Sequence, residues 1–178
     1  KILITGGAGF IGSNLTKRLV DDGHQVVVLD SLLRGNKLEK DTFSKIDFRK
    51  GDLRVLYTVI DASRGCDLIF HLAAVLGVDI VADNPVETMD VEVIGTRNVV
   101  NAAEVNNIKK IMYASTSGIY GHSAIDNALT EEVLVDPRTS YAMAKRYNEI
   151  YLASHLEEKG VDVISLRFFN VYGWNQDN

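Results

Sequence analysis

The sequence predicts an α/β fold, a doubly wound parallel sheet covered by helices on both faces, and three observations predict it. Short β-branched runs alternate with helix-length amphipathic runs along the chain, the order that yields parallel strands joined by crossover helices. Glycines cluster between the first apolar run and the first helical pattern. No internal repeat or low-complexity tract interrupts the alternation.

Taken in order, strands are predicted at residues 1–5, 25–30, 47–49, 68–72, 110–115 and 162–168, and helices at 11–22, 53–63, 86–106 and 140–159. The first helix rests on Ile11, Leu15, Leu19 and Val20, which form one apolar stripe, and Gly23 follows as its stop signal. The longest stretch without an element is 116–139, and a loop of that length in a compact domain is more often functional than idle.

Composition narrows the partners. The 178 residues are 46% hydrophobic, enough for one core. With 19 basic against 24 acidic residues the net charge is −5, which offers no positive field to nucleic acid or anionic lipid, so a small soluble ligand is expected. Cys66 is the one cysteine, and His24, His122 and His155 lack metal-ligand spacing, so neither a disulfide nor a metal is expected. No apolar run approaches the roughly 20 residues of a membrane span, and no basic-then-apolar leader precedes the first strand. A cytoplasmic location is the expectation. Lys1 already lies within a strand pattern and residues 174–178 read as polar coil, so further sequence is expected beyond both ends.

The glycines carry the first chemistry. Gly6, Gly7, Gly9 and Gly12 stand between the strand of Ile2, Leu3 and Ile4 and the helix that starts near Ile11. A backbone that must turn sharply, approach a pyrophosphate and pack its helix on the strand needs residues without Cβ there. The helix N-terminus then turns free N–H groups toward the phosphates. Asp30 lies 18 residues beyond Gly12 at the end of the second strand, where a carboxylate accepts from an adenosine ribose hydroxyl. Together these features predict a Rossmann domain that binds NAD in preference to NADP, although Arg34 just past Asp30 would tolerate a phosphate. Tyr141 and Lys145 stand four residues apart at the start of a predicted helix and so share one face. An ammonium beside a phenol favours phenolate, and Lys145 also suits the nicotinamide ribose.

The chain resembles the extended short-chain dehydrogenase/reductases, specifically their nucleotide-sugar epimerase/dehydratase group. Six ordered motifs carry the resemblance: residues 5–12 (TGGAGFIG), 51–53 (GDL), 71–74 (HLAA), 115–121 (STSGIYG), 141–145 (YAMAK) and 167–173 (RFFNVYG). The resemblance implies that Gly6, Gly9, Phe10, Ile11, Gly12, Asp30, Asp52, Leu53, Leu72, Ala73, Ala74 and Lys145 bind NAD, with Asp52 accepting from the adenine amino group. It implies that Thr116 holds the reacting sugar oxygen, Tyr141 removes its proton, and Ser117 and Asn170 contact the substrate. Each has a plainer alternative: Asp52 capping the next helix, Thr116 and Ser117 satisfying the strand end, His71 and Tyr120 packing, and Arg167 in a structural ion pair.

Departures from the family pattern select among reactions. Related 4,6-dehydratases carry an acidic pair after the catalytic Thr, where this chain has Ser117 and Gly118, and related decarboxylases have Glu in place of Gly118. The acid and base for eliminating water are therefore missing, whereas C4 epimerisation needs none. The expected reaction is NAD-dependent epimerisation through a 4-keto sugar, with decarboxylation or reduction, or a non-catalytic NAD sensor or scaffold, as alternatives. Glu92 also departs, standing where the family has Asn, and an ionised Glu accepts but does not donate. The family's smaller C-terminal substrate domain is nearly absent after Asn170. Stripes of Val86, Met89, Val93 and Val100, and of Tyr147, Ile150, Tyr151 and Ser154, predict a homodimer through two helices, unless both stripes only cover the sheet.

Overall fold

The computed structural model describes residues 1–74, 83–126 and 128–176. Residue 127 of the long predicted loop and residues 177–178 of the predicted tail lie outside the described residues.

Six parallel strands form one sheet in the order β3-β2-β1-β4-β5-β6: β1 Ile2–Thr5, β2 Val26–Asp30, β3 Asp47–Lys50, β4 Leu68–His71, β5 Lys110–Thr116 and β6 Asp162–Phe168. The main helices are α1 Phe10–Asp21, α2 Leu56–Ala62, α3 Pro85–Val105 and α4 Ser140–Lys159. The predicted doubly wound sheet is therefore observed. β1 is its centre, and all four of its residues are buried, as a parallel strand covered on both faces requires.

Alternation along the strands sends side chains into two cores. Leu3, Val27, Leu29, Ile69 and Ile111 meet Val59 of α2, Val99 and Ala103 of α3 and Leu152 of α4. Ile2, Ile4, Val26 and Val28 face the other way, onto Leu15, Leu19 and Val20 of α1. Each such fully buried aliphatic side chain contributes about 1.5–3 kcal/mol. The edge strand β3 reads Asp-Phe-Arg-Lys and is mostly exposed, and its charges discourage pairing with another chain.

Helix ends follow the local chemistry. Gly23 at φ +85° stops α1, its N–H bonding the Val20 carbonyl while that of His24 bonds Leu19. Asn107 at φ +58° does the same after α3, where Ile108 N–H reaches the Ala103 carbonyl. The helix predicted from residue 53 begins only at Leu56, because residues 52–55 form a turn in which Val55 N–H bonds the Asp52 carbonyl. Single helical turns at Lys40–Phe43 and Ser123–Asp126 and a 3-10 turn at Ser117–Tyr120 were not predicted. The last two organise the long loop, and Gly121 closes it: at φ +54° a Cβ there would lie 1.9 Å from the Asp136 carbonyl oxygen.

Candidate active site

Strand order reverses between β1 and β4: β1 pairs with β2 on one side and with β4 on the other, and in such sheets ligands bind in the crevice beyond the strands' carboxyl ends. The predicted cofactor residues surround that crevice. Gly6 follows β1 at φ +71°, and a Cβ there would lie 2.7 Å from the Ala73 backbone that leaves β4. Leu72 N–H bonds the Thr5 carbonyl, and Ala73 N–H donates to the Thr5 hydroxyl at 3.3 Å. At Gly12 a Cβ would meet the Gly6 carbonyl oxygen at 2.1 Å, so α1 packs on the turn only without one. Phe10 and Ile11, half-buried, open α1 directly over this turn.

Asp30 ends β2 with its carboxylate toward the same turn, accepting from Ala8 N–H at 3.0 Å and Leu32 N–H at 2.8 Å. Asp52 lies nearby, since Gly51 N–H bonds the Asp30 carbonyl. The helix-capping alternative for Asp52 is not observed. Its carboxylate accepts from Arg54 N–H at 2.8 Å and pairs with the Arg54 guanidinium at 2.6 Å, which holds its ionisation below the usual carboxylate range despite partial burial. Leu53 is core: it packs under Gly95, and its carbonyl accepts from buried Asn98 at 2.7 Å. Ala74 is half-buried just beyond β4.

His71 takes the structural role weighed for it. Its ring nitrogens meet Thr5 Oγ1 at 2.8 Å and Thr96 Oγ1 at 3.1 Å. Burial and then nearby Lys145 push its pKa down to about 3, so it is a neutral core residue.

α4 starts with a cap, the Thr139 hydroxyl accepting from Ala142 N–H at 3.1 Å. One turn on, Lys145 is buried beneath Tyr141. Its Nζ donates to the Ala114 carbonyl at 2.8 Å and pairs with Glu92 at 2.9 Å. It also lies 4.8 Å from the Tyr113 ring centroid and 5.5 Å from that of Tyr141. Desolvation, the largest single influence, pulls this lysine's pKa down, but Glu92 and the Tyr113 and Tyr141 phenols together outweigh it and the ammonium is retained. Burial raises Tyr141 above an ordinary phenol, with Lys145 opposing and Glu92 adding to the rise.

Thr116 ends β5, and its hydroxyl accepts from Gly118 N–H at 3.1 Å, capping the 3-10 turn that Ser117 opens. The strand-end role is thus real, and it leaves the hydroxyl proton available to donate. Gly118 sits against both Thr116 and Ala142, which brings the end of β5 beside the start of α4. Asn170 is exposed two residues past Phe168, the register partner of Thr116.

Residues the sequence reading did not single out hold this arrangement. Glu149 accepts from Ser115 Oγ at 2.6 Å, from Arg167 Nε at 3.0 Å and from Arg146 at 3.0 Å. Arg167 also donates to the Tyr120 hydroxyl at 3.1 Å, so both take the structural roles weighed for them. Asn148 reaches the Glu92 carbonyl and the Tyr113 hydroxyl, each at 3.0 Å. The available signal was spacing: Asn148 and Glu149 follow Lys145 by three and four residues, on its own face of the helix. Among the described residues no acidic, histidine or cysteine cluster is arranged to hold a metal, and no helix is long and apolar enough to cross a membrane.

Comparisons with known proteins agree with this geometry. The family model "NAD dependent epimerase/dehydratase family" matches residues 2–178. A putative UDP-glucose 4-epimerase of Methanocaldococcus jannaschii is 34% identical over 99% of the chain and 57% of its own length. A UDP-N-acetyl-alpha-D-glucosaminuronate decarboxylase of Bacillus cytotoxicus is 33% identical over 97% of the chain and 55% of its own. The crystal structure of the Thermus thermophilus UDP-glucose 4-epimerase in complex with NAD superposes with a TM-score of 0.90 at 34% identity, over 99% of this chain and 57% of that one. The chain thus spans little more than half the length of these relatives. It belongs to the NAD-dependent epimerase/dehydratase family.

Proposed function

We propose that the chain is the NAD-binding domain, including the catalytic residues, of a nucleotide-sugar 4-epimerase whose substrate domain lies in further sequence. The observation that carries the reading is Thr116, Tyr141 and Lys145 gathered at the β5–α4 junction, with Gly118 where an additional acid would stand. The residues present fit the cofactor, because glycines at 6 and 12 let β4 and α1 pack directly on the turn, which puts the N-terminus of α1 at the crevice, and Asp30 offers a carboxylate at the end of β2. NAD, when bound, would supply reversible hydride acceptance at the sugar C4. The Thr116 hydroxyl orients the C4 oxygen, Tyr141 takes its proton as the C4 hydroxyl becomes a ketone, and the same phenol returns that proton when the alcohol re-forms. Lys145 holds the phenol and the nicotinamide ribose, while Asn170 and Ser117 contact the nucleotide-sugar. Incubating the protein at its full natural length with UDP-glucose and UDP-glucuronate tests the assignment by following C4 configuration. Inversion supports it; release of CO2, net NADH change, or NAD binding without any turnover replaces it with decarboxylase, reductase or sensor, respectively.

Asp30 makes cofactor choice a second expected result. A carboxylate that accepts from a ribose hydroxyl repels a 2′-phosphate at the same place, so NAD is expected to bind roughly tenfold or more tightly than NADP. Calorimetric titration checks this, and equal affinities would show that Arg34 dominates.

The proposed homodimer uses the outer faces of α3 and α4. Of the predicted stripes, Val100 is buried core and Tyr151 packs against the core, whereas Val86, Met89, Tyr147 and Ile150 remain exposed. Met143 joins them on α4, and the Tyr147 ring stacks on Tyr151 at 6.0 Å. Such apolar exposure on two packed helices fits a partner surface. Light scattering at micromolar concentration is expected to report a dimer, and Tyr147→Asp to weaken it by about 2 kcal/mol or more. A dimer indifferent to that change would place the interface elsewhere.

A further inference from the structure

Glu92 lies on the inner face of α3, one turn before Thr96, and it is 2% exposed. Its Oε2 is 2.9 Å from Lys145 Nζ, and each of the two side chains is only 1% exposed. Either charge alone would be costly at that depth, so carboxylate and ammonium are buried as a unit. The groups around the ammonium come from every element packed on it. They are Glu92 of α3, the Ala114 carbonyl and Tyr113 ring of β5, Tyr141 of α4 and neutral His71 of β4. Formal charge beside the Tyr141 phenol therefore sums to zero, whereas a neutral side chain at position 92 would leave a full positive charge 5.5 Å from its ring centre.

We propose that Glu92 is a positioning residue for the Lys145–Tyr141 pair: its carboxylate anchors the ammonium in the core and cancels its charge beside the phenol. The proposal rests on the reading of Tyr141 as the general base, but its test needs no turnover. The same geometry explains how a Glu is accommodated at a position where the resemblance leads one to expect Asn. Asn148 holds the Glu92 carbonyl at 3.0 Å, so the helix backbone is fixed independently of the side chain.

The direction of the effect follows from coupled titration. With position 92 neutral, the ammonium is still held by the Ala114 carbonyl and lies against the Tyr113 and Tyr141 rings, so the phenol faces an uncancelled positive charge and loses its proton more readily. A unit charge about 6 Å away at an effective dielectric near 20 displaces an ionisation by about one to two pH units. Tyr141 is isolated by titrating phenolate absorbance in the near ultraviolet for each protein and subtracting its Tyr141→Phe counterpart. Glu92→Gln is expected to lower the Tyr141 ionisation by about one to two pH units; an unmoved titration overturns the proposal. Should Glu92→Gln fail to fold, the double variant Glu92→Gln/Lys145→Met removes both charges together. It restores zero charge and is expected to titrate within about half a unit of the parent, while a shift of a full unit or more overturns the proposal. A protein that shows the Glu92→Gln shift without any epimerase turnover keeps this proposal and loses the functional one. Turnover without the shift does the reverse.

Discussion

Replacing Tyr141 by phenylalanine is expected to lower turnover on the nucleotide-sugar by about 10²–10⁴-fold, the usual contribution of a positioned general acid–base group. The substitution removes one hydroxyl and nothing else. The ring still lies over the Lys145 ammonium, and that ammonium keeps Glu92 and the Ala114 carbonyl, so the fold and NAD affinity should stay close to the parent. The parent's pH profile follows from the sign of the shift. On the proposed reading the active base is the phenolate, and burial raises the phenol's ionisation in the absence of cofactor. Turnover should therefore climb as the pH rises toward the alkaline range instead of levelling off below neutrality. Steady-state rates across pH, with calorimetric NAD affinity as the control, check both parts. A Tyr141→Phe protein with parental turnover would assign the proton transfer to another group.

The sheet was legible because its signal is local. Ile2, Leu3 and Ile4 are continuous and apolar as a doubly covered strand must be, and among the glycines after them Gly6 and Gly12 stand where the backbone tolerates no Cβ. Helical spacing put Tyr141 and Lys145 on one face, where the structure has them, and the distance from Gly12 put Asp30 at the end of the second strand beside the turn; spacing alone assigned neither a role. What stayed hidden depends on contacts between elements distant in sequence. Glu92 and Lys145 are 53 residues apart and Ser115 and Glu149 are 34, and no periodicity joins them. The stripe on α4 was misjudged at Tyr151 for the same reason: spacing gives a face, but not which neighbour covers it. Asp52 failed as a helix cap because a turn over residues 52–55 delays the helix to Leu56, leaving Asp52 three residues short of the cap position.

The second large effect is expected at Glu149, where replacement by alanine should destabilise the fold by about 3 kcal/mol. Its carboxylate is 5% exposed and joins β5, β6 and α4 through Ser115, Arg167 and Arg146. Without it, the partly buried Arg167 keeps, among the described residues, the neutral Tyr120 hydroxyl and Glu131 carbonyl as acceptors. Desolvation pushes the Glu149 pKa up, but hydrogen bonds from Arg167, Ser115 and Arg146 prevail and hold it below the ordinary value of 4.5. A carboxyl group depressed on folding contributes stability above its unfolded pKa and loses that contribution as the pH falls through the folded one. The deficit of Glu149→Ala should accordingly be full at neutral pH and shrink in acid below about pH 4. Denaturant unfolding of both proteins at the two pH values measures it, and a deficit equal at both would mean that packing, not charge, sets the loss. Because Ser115 directly precedes Thr116, the same variant is expected to lose turnover beyond what its unfolded fraction explains. Glu149→Gln, which retains an acceptor for the Ser115 hydroxyl, should recover part of it.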